Sequence, residues 1–199
     1  MLSGAPSELI VPTIDTVRYS KLLELLTKHK LAGLFVGPTG TGKSLYMKQT
    51  LANLGVGGNL TIEVGFSAQT SANQTQDIVD GRLERRKKDF YGPHFGQQCV
   101  IFVDDLNMPK KEQYGAQPAL ELLRQFLDKG GWYDYADKKH PFRHIIDSSL
   151  LAAMGSPSAG RQHISPRVQR HFVVISIASF DDATMTRIFR CILQSYLSV

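Results

Sequence analysis

Eight residues constrain this chain more than any others: Gly37-Pro38-Thr39-Gly40-Thr41-Gly42-Lys43-Ser44. They fit G-x-x-x-x-G-K-[ST]. They lie between an apolar run, Leu31 to Val36, and a stretch of helical period, Lys43 to Leu54, with Leu45, Leu51 and Leu54 on one side. Strand, glycine loop and helix in that order give the pattern a mechanism. Glycines let the backbone curl until several N–H groups face a phosphate, and the helix N-terminus adds its positive end. Lys43 is placed to reach the β and γ phosphates of a nucleotide, and the Ser44 hydroxyl to ligate Mg²⁺. Gly37 through Ser44, with Leu45 behind them, are the expected nucleotide-binding residues.

A loop of this kind needs a sheet behind it, and the remaining pattern supplies one. Apolar runs bounded by Gly, Pro, Asn and Asp alternate with helical stretches, which predicts an α/β fold with a parallel sheet covered on both faces. Five strands are expected, at Leu31 to Val36, Leu60 to Phe66, Val100 to Asp104, Leu150 to Met154 and Phe172 to Ile177. Helices are expected at Thr16 to Lys30 behind an Asp15 cap, at Lys43 to Leu54, at Thr75 to Asp89 and at Pro118 to Lys129. A last helix has a capping arrangement of Ser179 and Asp182, with Met185, Ile188, Phe189 and Ile192 at helical spacing. Gly131 to Asp147 is too long for a simple connection and reads as a β-hairpin or inserted loop.

The third strand ends in two carboxylates, Asp104 and Asp105. Alone, such an ending is more often a turn or helix cap. Downstream of a full phosphate loop it reads as a Walker-B pattern, in which Asp104 holds Mg²⁺ through its water shell and Asp105 orients or deprotonates the attacking water.

At 199 residues the chain is long enough to bury one core, and it is read as one domain over 1–199, with 1–10 a flexible lead-in. No apolar run approaches the roughly 20 residues that cross a bilayer, and no secretory signal opens the chain. A soluble intracellular chain without a membrane partner is therefore expected. Cys99 and Cys191 are too few for a disulfide framework and are expected to be buried, reduced thiols. The net charge is +5. Its densest basic run is Arg82 with Arg85 to Lys88, placed at the end of the expected third helix, where cations complement the macrodipole. No aromatic residues interleave with it to stack single-stranded nucleic acid. His140 and His144 share helical spacing, but Pro141 breaks the helix that a metal pair would need.

With both motifs placed, Val103-Asp104-Asp105-Leu106-Asn107-Met108-Pro109, Tyr114 to Pro118 and Leu122 to Gln125 closely resemble dynein heavy chains. Val11 to Tyr19, Gly131 to Asp134 and Ser165 to His171 support the match, which runs from about residue 8 to the end. It is to the third AAA+ module of the motor ring in its axonemal form. The resemblance implies the large α/β half of a module, bound to ATP or ADP with Mg²⁺, with the small helical lid absent from these residues. It assigns Val11, Pro12 and Thr13 to the neighbourhood of the adenine. Arg167 and Arg170 resemble the arginine-finger region, which projects into the adjacent module's site. The alternative is that they hold a loop or pair with Asp181 or Asp182. Neighbouring modules are the implied partners, with intermediate and light chains reached indirectly. The implied location is the cytoskeleton of a cilium or flagellum, and the resemblance implies no direct microtubule binding by these residues.

Two departures from the wider AAA+ pattern bear on mechanism. Asp105 replaces the usual glutamate and is one methylene shorter, and a misplacement of about 1 Å can cost ~10²-fold in rate. Gly155 stands near the place of a polar sensor residue, with Ser156 the nearest polar neighbour. Nucleotide binding with slow or partner-dependent hydrolysis is therefore the leading expectation. The alternatives are a stand-alone ATPase acting on nucleic acid through the basic run, and a nucleotide-free structural module.

Overall fold

Thr13 starts the first helix by accepting the Thr16 backbone N–H, while the Thr16 hydroxyl accepts the Thr13 N–H. That reciprocal box places the start of α1 (Ile14–Lys28) ahead of the expected Asp15 cap; Asp15 lies inside the first turn, beside Arg18. The computed structural model describes residues 11–55, 58–157 and 161–197. The expected 1–10 lead-in lies outside them.

From α1 the chain enters β1 (Gly33–Val36), α2 (Lys43–Gly55) and β2 (Leu60–Gly65). Leu31, expected in the strand, instead closes the end of α1 through its N–H to the Leu26 carbonyl. The other principal strands are β5 (Cys99–Asp104), β8 (Ser148–Met154) and β9 (Val173–Ser176). They form a five-stranded sheet in the order β2-β5-β8-β1-β9, with every pairing parallel. The α/β expectation therefore holds, with five parallel strands.

Side chains alternate across this sheet, so each strand feeds two cores. Val100 and Phe102 of β5 pack with Leu23, Leu26, Met47 and Leu51 of α1 and α2. Ile101 and Val103 face the other way, onto Val79 of α3 (Ala72–Asp80) and Leu120, Leu123 and Phe126 of α4 (Pro118–Lys129). Leu45 does not join Leu51 in the core; it is exposed and borders the phosphate loop.

The expected helix Thr75 to Asp89 is overturned in its second half. Gly81 ends α3, and the basic run becomes β3 (Glu84–Lys87), which turns through Asp89 at φ 61° into β4 (Phe90–Gly92). Leu83 is buried against the core at the point where the helix would have continued. The basic run thus does not complement a helix dipole. It occupies an edge strand, where charge discourages pairing with other chains.

Of the hairpin or inserted loop expected at Gly131 to Asp147, the structure holds a hairpin, β6 (Gly131–Tyr133) against β7 (Phe142–Ile145). With β3 and β4 it completes a second sheet, ordered β3-β4-β7-β6. Arg143 pins this sheet to α3 by donating to Asp80 at 2.8 Å and braces the hairpin by donating to Asp134 just after β6, while Trp132 donates its indole N–H to Asp80 at 3.2 Å.

A short α5 (Pro166–Gln169) precedes β9, and α6 (Asp182–Leu197) closes the described chain. The N–H of Thr184 is accepted by Asp181, not by Ser179 or Asp182. None of α6 is fully buried, and Met185 and Phe189 are exposed. Cys99 is buried, which raises its thiol to about 12; Cys191, on α6, is only half-buried, contrary to expectation.

Arg143→Ala is expected to cost about 3 kcal/mol by stranding two largely buried carboxylates. For a domain of this size that is a midpoint lower by roughly 10 °C. Burial already raises the Asp80 pKa, with Arg143 opposing, so the variant raises it further. An acid whose folded pKa lies above its unfolded value gains folded stability as pH falls. Thermal unfolding at pH 7 and pH 5 should show the gap between the two proteins narrowing at the lower pH.

Candidate functional site

The phosphate loop is strung between two strands. The Gly37 N–H donates to Met154 of β8 at 3.3 Å, and Ile177 after β9 donates to Val36 at 2.7 Å. Glycine is required at 37 because a Cβ there would stand 2.6 Å from the Ile177 carbonyl oxygen. Gly40 and Gly42 adopt φ of 84° and 69°, which L-residues adopt only with strain. The Thr41 hydroxyl donates to the Pro38 carbonyl. Lys43, at the start of α2, turns back under the loop and donates to Gly37 and Pro38 carbonyls at 2.9 and 2.5 Å. Burial lowers the Lys43 pKa, and the nearby Arg161 charge adds to this; Asp105 and Asp104 oppose it.

Asp104 ends β5 beside that loop. Across 60 residues of sequence, the Ser44 hydroxyl donates to its Oδ1 at 2.8 Å, and the same oxygen accepts the Asp105 N–H at 3.0 Å. Asp105 lies in the left-handed region at φ 54° with its side chain half exposed. Such a conformation costs a non-glycine residue about 1–2 kcal/mol. Among the described residues no cluster of three His, Cys, Asp or Glu side chains could hold a metal. A divalent ion on Ser44 and Asp104 would take its remaining oxygens from water and phosphate, as Mg²⁺ does.

A cavity of about 300 Å³ opens over these groups, lined by the loop, Asp104, Asp105, Met154, Gly155 and Arg161. A second, of about 150 Å³, shares Gly40, Gly42 and Leu45 with it and is walled by Val11, Thr13, Tyr46, Phe180 and Ile188. A polar cavity and a mostly apolar one are thus adjacent, and the donor set fits a Mg-nucleotide. Pro12 is exposed and lines a separate groove with Thr16, Ser20 and Gln49.

Sequence reasoning missed Arg161 and Asn107. The Arg161 guanidinium donates to the Thr39 hydroxyl at 2.7 Å and to Asp105 at 3.4 Å. It occupies the space where a side chain at Gly155 would stand, its NH1 nitrogen 2.3 Å from the place of a Cβ. Asn107 is buried and donates to the Gly155 carbonyl at 2.9 Å. Gly155 therefore has a physical reason: the Arg161 guanidinium fills the space that a side chain at this position would take. Arg161 belongs to no motif, and Asn107, though inside the run Val103 to Pro109, has no chemical signature there; the fold brings one to the loop and the other to Gly155.

Arg167 and Arg170 lie on and just after α5, outside this cavity. Arg170 pairs with Asp128 at the end of α4, as does His171, and not with Asp181 or Asp182. Arg167 lines a separate cavity of about 440 Å³ with Tyr114 and Gln117. Among the described residues its guanidinium has no ion-pair partner.

The family model described as the P-loop containing dynein motor region matches residues 3–180. "Dynein axonemal heavy chain 12" of Rattus norvegicus is 51% identical over 191 residues, covering 96% of this chain and 6% of that protein. "Dynein axonemal heavy chain 3" of Homo sapiens is 49% identical over 188 residues, covering 94% and 4%. "Dynein axonemal heavy chain 1" of Homo sapiens is 46% identical over 196 residues, covering 95% and 4%. The chain spans about one-twentieth of the length of these relatives.

Two alanine substitutions separate the demands on the loop. Gly37→Ala is expected to cost about 1–3 kcal/mol by overpacking against Ile177. Gly40→Ala meets open space and should cost about 1–2 kcal/mol, from its backbone conformation alone. Denaturant unfolding of both variants checks this. A Gly37→Ala protein as stable as the parent would contradict the close approach of β1 and β9.

Proposed function

The chain belongs to the P-loop-containing dynein motor region family, and from that premise we propose that it is an AAA+ module that binds Mg-ATP or Mg-ADP at Gly37 to Ser44. The observation that carries this reading is the Ser44 to Asp104 hydrogen bond beside the buried Lys43. It gathers a cation, a metal-ligating hydroxyl and a metal-ligating carboxylate at one helix N-terminus. Lys43 and the loop N–H groups hold the phosphates, Ser44 and Asp104 hold Mg²⁺, and Val11, Thr13 and Leu45 border the base. The metal supplies charge neutralisation between the phosphates when it is bound.

The module is the third of a motor ring in an axonemal dynein heavy chain, and residues 1–199 form a single large α/β unit. Its neighbours are other AAA+ modules of the same heavy chain, and intermediate and light chains are reached only through the rest of that protein. Its place is the axoneme of a cilium or flagellum, and it does not itself touch the microtubule. Nucleotide state here sets the geometry between modules, a regulatory task more than a source of turnover.

Slow hydrolysis follows from the catalytic carboxylate. Asp105 is short, held by Arg161 and not aligned by a polar side chain at 155. Of the two arginines offered to a neighbouring site, Arg170 is tied to Asp128 and Arg167 is the untied one. An arginine supplied in trans is worth ~10³–10⁵ in turnover in phosphoryl transfer. This chain alone lacks that contribution at its own site.

Thermal unfolding with Mg-ADP and Mg-ATP tests the binding claim. A ligand at about 100 times its Kd adds about 2.7 kcal/mol. That should raise the midpoint by several degrees, and Lys43→Ala should abolish the rise. An unchanged midpoint in a folded protein would support the nucleotide-free structural role instead. The chain should also turn over ATP far below the typical ~10 s⁻¹ of enzymes; a rate near that value contradicts the regulatory reading.

A further inference from the structure

Among the described residues Arg161 is the one cation besides Lys43 that borders the phosphate cavity, and its guanidinium is committed at both ends. One nitrogen donates to Thr39 in the loop, the other to Asp105, and Nε is buried with no partner among the described residues. The contact to Asp105 is the weaker of the two, 3.4 Å to a carboxylate that is half exposed. Its plane lies against Gly155, where any Cβ would collide with it. Asn107 holds that glycine through its carbonyl, donating at 2.9 Å. The fold has therefore made room for this side chain at the end of β8, next to the carboxylate that would align water.

We propose that Arg161 reads the terminal phosphate in cis: it exchanges Asp105 for the γ-phosphate oxygens of ATP, and so makes the site discriminate ATP from ADP. This deepens the nucleotide reading above and rests on it. Three features carry the assignment. A guanidinium fork matches phosphate oxygens better than one long contact to a half-solvated carboxylate. The Nε–H supplies a further donor that no group among the described residues satisfies, and a buried donor left unmade is costly. Thr39, the second residue after Gly37, keeps the guanidinium at the loop, so that it needs only to give up Asp105.

The exchange has a consequence for Asp105. While paired with Arg161 the carboxylate is held toward a cation. When Arg161 turns to phosphate, Asp105 is released to the cavity. Arg161 is thus a ligand-sensing residue that positions Asp105, and it couples occupation of the γ-phosphate site to the freedom of the second carboxylate. It acts on the site of its own chain, unlike Arg167 and Arg170, which lie outside the cavity.

The test is equilibrium titration of the chain, and of its Arg161→Gln and Arg161→Lys variants, with Mg-ADP and with a non-hydrolysable Mg-ATP analogue. Charge-assisted hydrogen bonds of this kind correspond to roughly 10- to 100-fold in affinity. Arg161→Gln should lose about that factor for the ATP analogue and change by less than about twofold for ADP. Arg161→Lys keeps the charge without the fork and should fall between. Unfolding midpoints close to the parent's establish that both variants fold. Equal weakening of both nucleotides, or weakening of neither, overturns the Arg161 assignment while leaving nucleotide binding intact. Failure of the unaltered chain to bind either nucleotide overturns the binding reading itself, and Arg161 with it.

Discussion

Three parallel strands, β5, β8 and β1, lie side by side and end at one edge of the sheet, and everything chemical in this molecule depends on that register. Val36 pairs with Met154, and Val103 with Ala152, so that Gly37, Gly155 and Asp104 emerge together. Ligands in open α/β sheets bind outside the carboxyl ends of the strands for this reason: the loops diverge there and leave a crevice. The Ser44 to Asp104 hydrogen bond, across 60 residues, is the local expression of the register. A slip of one residue in β5 would exchange its two faces and remove Asp104 from the loop.

Much of this was legible because the relevant signals are local. A glycine loop between strand and helix, a buried apolar run ending in carboxylates, and α4 with proline at its start and glycine at its end each carry their own chemistry. What was not legible depends on contacts between distant segments. The stretch Arg82 to Lys88 has the composition of an exposed helix, yet Leu83 is drawn into the core and the rest pairs with β4. Thr13 displaced Asp15 as the cap because both were acceptable and only the approach of Thr16 decided. Arg170 found Asp128 through packing of α5 on α4, which no spacing announces.

The site shows the same division. The residues proposed to hold phosphate and metal were named from their motifs, while Arg161 had no motif and Asn107, though in the Val103 to Pro109 run, had no sign of its contact with Gly155. Gly155 read as a defect in the sequence. In the fold it is the vacated volume in which Arg161 lies against the backbone. Asp105, short and held in a left-handed conformation, is then less a weakened copy of a glutamate than one half of a pair with that arginine. Strain of this sort gathers where a group must be presented for chemistry.

The most direct test of the account is titration of a fluorescent ADP analogue into the chain, with Mg²⁺ and with EDTA, for the parent and for Asp104→Asn. If Ser44 and Asp104 form one metal site beside the loop, binding is saturable at one nucleotide per chain. Removing Mg²⁺ should weaken it, and Asp104→Asn should lose most of that metal dependence. Binding that ignores both Mg²⁺ and the Asp104 substitution would show that the motif binds phosphate without the metal centre assigned here, and would contradict the account at its base.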